Sequence, residues 1–117
     1  MAISTWRAHD LEQYEKEKTP EDGIENAILC EKYSEAELPF SWDDAIFWLK
    51  KSLEIREKAV GKSDLSLVED YVCIAEIYRY IDIQNYEECA KNIFRAKQIE
   101  EENWGFTEEL NGFKTFL

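Results

Sequence analysis

The sequence predicts an all-α protein, a short array of helix-turn-helix pairs, and three observations carry that expectation. Apolar residues recur at helical spacing through most of the chain. Only four glycines and two prolines interrupt it, at Pro20, Gly23, Pro39, Gly61, Gly105 and Gly112. One pattern also occurs twice: SLEIREKAVG, Ser52 to Gly61, returns 44 positions later as AKQIEEENWG, Ala96 to Gly105.

The elements follow in order. A first helix is expected over about Thr5 to Lys18, within an N-terminal unit of residues 5–20. PEDGIENAILCEKYSEA gives a second, through Ile24, Ala27, Ile28 and Tyr33, ending before Pro39. In DDAIFWLKKSLEIREKAV, the residues Ala45, Trp48, Leu49, Ser52, Ile55 and Ala59 form one stripe, with Lys50, Lys51, Glu54, Glu57 and Lys58 opposite. Ser41 can cap that helix, Asp43 and Asp44 suit the positive end of its dipole, and Gly61 suits its C-terminal stop. From a cap at Ser63 or Asp64, a fourth helix runs through Leu67, Tyr71, Ile74, Ala75 and Tyr78. After a polar turn around Asp82 to Asn85, a fifth carries Cys89 or Ala90, Ile93, Ala96 and Ile99. A weaker helix is expected over Thr107 to Phe116.

The duplicated pattern aligns Trp42 with Tyr86, Asp43 and Asp44 with Glu87 and Glu88, Ser52 with Ala96, Ile55 with Ile99, and Gly61 with Gly105. Residues 21–61 then form one helix pair, 62–105 a second, and 106–117 a capping helix, all within one domain. A helix pair that recurs at this spacing signals stacked units, each burying its face against the next. Small residues at Ala45, Ser52, Ala75 and Ala96 suit close helix contact.

At these residues the chain resembles the tetratricopeptide repeat in its long, kinesin-light-chain-like form. Leu53, Ile55, Arg56, Glu57, Lys58 and Gly61 match the first part of that pattern, Ile74, Ala75 and Tyr78 the second, and Tyr86, Glu87 and Glu88 the third. The likeness covers 41–105 well and 21–40 weakly. It implies a right-handed superhelical array with an inner groove that binds a peptide or helix. Two departures stand out. The turn between Tyr78 and Tyr86 is longer than the family's, and Val72 and Cys73 stand where many long-repeat members carry asparagines that hold a bound peptide's backbone.

Composition narrows the function classes. With 26 acidic against 14 basic side chains, the net charge is −12, and no basic face is available for nucleic acid. The acids concentrate toward the two ends, ten of them between Asp10 and Glu37, whereas Leu38 to Gly61 is balanced. No secretory signal and no apolar run of membrane-spanning length is visible, and three scattered cysteines, Cys30, Cys73 and Cys89, suit free buried thiols. A cytoplasmic protein is expected.

No catalytic constellation emerges. His9 is the only histidine and has no local partner motif, the cysteines lack metal-ligand spacing, and no glycine-rich phosphate loop is present. Neither enzyme activity, metal nor cofactor is expected. The acid pairs Asp43/Asp44 and Glu87/Glu88 read as helix-start residues. Trp42, Ala45, Leu53, Ile55, Gly61, Ile74, Ala75, Tyr78, Tyr86, Ala96, Ile99 and Gly105 are read as structural repeat positions. Phe47, Val72, Arg79, Tyr80 and Arg95 are the partner-binding candidates. The function expected is a non-catalytic protein-interaction module, an adaptor for a peptide or helix of a protein partner. An acidic inhibitor masking a basic protein surface and a self-associating homodimeric module are the alternatives.

Overall fold

The computed structural model describes residues 5–21, 23–80 and 85–104. Over these it is all-α, with helices α1 (Thr5–Glu17), α2 (Ile24–Glu37), α3 (Trp42–Val60), α4 (Val68–Tyr80) and α5 (Tyr86–Trp104), and a 3-10 turn, Leu65–Leu67, leading into α4. The expected helix over 107–116 and the turn residues 82–84 lie outside the described residues, as does Gly105.

Local chemistry sets the boundaries. Ser41 Oγ accepts from the Asp44 backbone N–H at 3.2 Å and starts α3. Gly61 ends that helix at φ 89 and ψ 169, a region that side-chain-bearing residues rarely occupy. Asp64 is the second cap, accepting from Ser66 N–H at 2.9 Å, which draws its carboxyl below its ordinary pKa. The turn between α1 and α2 is held by Asn26, whose side chain accepts from Thr19 N–H at 2.8 Å and donates to the carbonyls of Thr19 and Glu21. That bonding satisfies a fully buried amide.

Packing follows the two pairs: α2 lies along α3 and α4 along α5, with a smaller α3–α4 contact joining them. α3 and α5 are both 19 residues long and begin at the aligned residues Trp42 and Tyr86. Ser52 and Ala96 are both buried, as are Ile55 and Ile99. One core joins α1, α2 and α3 through Tyr14, Ala27, Cys30, Trp48 and Ile55. Trp48 is wholly buried there, stacked on Tyr33 at 4.9 Å and tilted against Tyr14 at 5.6 Å. The other core joins α3, α4 and α5 through Ala45, Ile46, Leu49, Leu53, Leu67, Ile74, Ile77, Tyr78 and Ile99.

α3 therefore buries two faces. The single stripe read from the sequence omitted Ile46 and Leu53, which are buried, and included Ala59, which is exposed. Ile28 also differs from its expected core position: it is exposed on α2. α1 is fastened to α3 by Arg7, whose Nε donates to Asp44 Oδ1 at 2.7 Å while its guanidinium lies 4.4 Å from the Phe47 ring centre. Asp44, read as a helix-start acid, is thus also a buried ion-pair partner.

Candidate functional site

α2 and α4 flank a cavity of about 520 Å³, with Leu49 of α3 at its base. α2 contributes Ile28, Glu31, Lys32, Ser34 and Glu35, followed by Leu38; α4 contributes Glu69, Asp70, Cys73, Glu76, Ile77 and Tyr80. Helical spacing explains the set. Ile28, Glu31, Lys32 and Glu35 repeat at three to four residues on α2, as do Glu69, Cys73, Glu76 and Tyr80 on α4. Each helix turns one face to its pair partner and leaves a second toward the cleft. Five acids face one lysine, and the apolar positions Ile28, Leu38 and Tyr80 are exposed.

Beneath the cleft lies a polar network spanning three helices. Arg56 of α3 donates through Nε and Nη2 to the two carboxylate oxygens of Glu31, at 3.1 and 3.0 Å. Ser52 Oγ lies 2.6 Å from Asp70 Oδ2 and 3.1 Å from Glu31 Oε2. Arg56 Nε approaches Asp70 at 3.8 Å. Two carboxyl groups therefore share one guanidinium. Burial pushes the Asp70 carboxyl up to about 7, its hydrogen bond with Glu31 adds to the rise, and Ser52 opposes it. A cation brought beside Asp70 would favour its ionised form.

The predicted partner-binding residues divide. Tyr80 lines the cleft, is 68% exposed, and has the Arg79 guanidinium 5.2 Å from its ring centre. Val72 is half-buried on α4 beside the cleft-lining Cys73. Phe47 is packed between Arg7 and Trp48, in the α1–α3 core. Arg95 donates to the Lys62 carbonyl at 2.6 Å and to Gln98, so it ties α5 to the turn after α3. Among the repeat positions, Ala45, Leu53, Ile55, Ile74, Ala75, Tyr78, Ala96 and Ile99 are buried, Trp42 is half-buried and Tyr86 is exposed.

Sequence reasoning did not single out Glu31, Glu35, Glu69, Asp70 and Glu76. Their spacing on α2 and α4 was legible, but nothing in it says that the two faces meet across one cleft. The thiol of Cys73, on the cleft wall, is pushed up to about 11 by burial and by neighbouring acids, so it stays protonated and a poor nucleophile near neutral pH. Among the described residues no group of three or more His, Cys, Asp or Glu side chains could hold a metal ion, and no helix is long and apolar enough to cross a membrane. Compared with known proteins, the chain matches no family model, no curated protein and no solved structure.

Proposed function

We propose that this chain is a non-catalytic protein-interaction module, built as a short tetratricopeptide-like array, that holds a basic and partly apolar segment of a protein partner between α2 and α4. One observation carries the reading: the cleft combines five acids with exposed apolar side chains at Ile28, Leu38 and Tyr80. Lysine or arginine side chains of the partner would meet Glu35, Glu69 and Glu76, while its apolar residues would cover Ile28, Leu38 and Tyr80. The net charge of −12 would speed the encounter. A cytoplasmic setting suits such an adaptor.

The test is calorimetric titration with two synthetic amphipathic peptides of equal apolar content, one lysine-rich and one glutamate-rich. The lysine peptide is expected to bind, and to lose about tenfold or more in affinity on raising salt from dilute buffer to well above physiological strength. Glu69→Lys combined with Glu76→Lys should abolish binding. Equal binding of both peptides, or no effect of the double substitution, would overturn the groove reading. If substitutions at the exposed acids Glu12 and Glu25 weakened binding instead, the inhibitor that masks a basic surface with its outer face would take its place.

A further inference from the structure

We infer that, given the groove function proposed above, one lysine side chain of the bound segment docks on the Glu31–Asp70 pair at the base of the cleft and replaces the proton that those two carboxyls otherwise share. With both carboxyls ionised, the network there is one positive charge and one hydrogen-bond donor short. Among the described residues Arg56 is the only cation paired with either carboxyl, and its Nε and Nη2 both donate to Glu31. The Ser52 hydroxyl has a single hydrogen, yet its oxygen lies 2.6 Å from Asp70 Oδ2 and 3.1 Å from Glu31 Oε2. Asp70 is only 2% exposed, and no described donor reaches its other oxygen. A buried carboxylate left in that state is costly, so in the free protein a proton supplies both the charge and the donor.

Both carboxyls line the cavity, so a cation entering from the cleft can take that place. Lysine suits it better than arginine. The Arg56 fork already occupies both Glu31 oxygens, which leaves no free pair for a second guanidinium. An ammonium is compact, and its three donors can reach Asp70 and Glu31 separately. The remaining groups around Asp70 cannot substitute for it. The thiols of Cys30 on α2 and Cys73 on α4 are pushed up by burial to about 12 and about 11 and stay protonated. Glu69 on the cavity wall adds only negative charge, and Lys32 lines the cavity without pairing with either carboxyl.

Calorimetry of the full chain with the lysine-rich amphipathic peptide, repeated in two buffers of different ionisation enthalpy, reads the protons released. Burial holds the Asp70 carboxyl up at about 7 in the free protein, and a cation beside it favours the ionised form, so a proton leaves on binding below that value and not above it. Close to one proton should leave at about pH 6 and almost none at about pH 8.5, with affinity rising by up to about tenfold per pH unit until it levels above about 7. Asp70→Asn keeps the shape and fixes a donor toward Glu31. It should abolish the release and bind the peptide about tenfold or more weakly at the higher pH. Replacing the peptide's lysines by arginine should weaken binding several-fold. The buffer comparison and the arginine peptide need no variant, so they decide the matter if Asp70→Asn loses its helical fold. Binding of the lysine peptide without proton release at the lower pH would overturn the inference and leave the groove reading standing. So would release that survives in Asp70→Asn, or an arginine peptide that binds as tightly. No binding of the lysine peptide at any pH would end both readings.

Discussion

The indole Nε1 of Trp48 donates to Glu37 Oε2 at 2.7 Å, inside the interface between α2 and α3. Among the described residues, no donor reaches the other oxygen of that buried carboxyl, Oε1. Its carboxyl neighbours Asp10 on α1 and Asp44 on α3 cannot supply one when ionised, so Glu37 is satisfied best when it keeps a proton and donates that O–H in a hydrogen bond to the Asp10 carboxylate. Burial raises its pKa to about 8, and the Asp10 hydrogen bond adds to the rise while Trp48 opposes it.

Stability should therefore fall as pH rises. Between the ordinary value of 4.5 and about 8, the folded state holds more protons at Glu37 than the unfolded state does, which makes the slope of stability against pH negative there and flat above. Glu37→Gln keeps a donor and an acceptor without the charge. Urea denaturation should show the variant more stable than the parent at alkaline pH, by about 1 kcal/mol or more, and nearly equal at the acid end. A gain that does not change with pH would show that ionisation is not its cause.

Ser52→Ala removes the hydroxyl that serves Asp70 at the base of the cleft. The cost should be about 1–2 kcal/mol where Asp70 is ionised, above its raised value near 7, and smaller near pH 5 where it is protonated. Denaturation curves at the two pH values check this. A larger loss at the lower pH would contradict the assigned hydrogen bond.

Arg7→Ala leaves the Asp44 carboxylate buried without its guanidinium. A loss of about 2 kcal/mol is expected, with α1 exchanging its amides faster than α4 and α5 do. The double variant with Asp44→Asn should recover part of that loss, because it also removes the stranded charge.

Gly61→Ala tests the backbone alone. Among the described residues, no atom outside Gly61 and its two chain neighbours lies within 4 Å of the position an added Cβ would take, so φ 89 is what opposes the substitution. About 1–3 kcal/mol of destabilisation is expected in thermal or urea melts. An unchanged midpoint would mean that the end of α3 can adopt another turn.

Periodicity identified the described helices because it depends on local spacing alone, and the start at Ser41 and the stops before Pro39 and at Gly61 are equally local. The single stripe drawn on α3 was incomplete for a different reason. A helix wedged between two neighbours buries Ile46 and Leu53 as well as Trp48 and Ile55, and periodicity cannot count neighbours. Phe47 and Tyr80 show the same limit at the site. Both are aromatic residues on helices, yet one lies under Arg7 and the other opens onto the cleft.

By itself, then, the sequence determined the helical class, the order of the five described helices, the caps at Ser41 and Gly61, the acidic charge and the internal duplication, all of which are written in neighbouring residues. Only the tertiary structure decided which acids share a cleft and where the compensating charges sit. Glu31, Arg56 and Asp70 come from three helices. So do Asp10, Glu37 and Trp48. Such meetings depend on how helices cross in space, and a burial that raises a carboxyl's pKa exists only once the packed chain has excluded water from it.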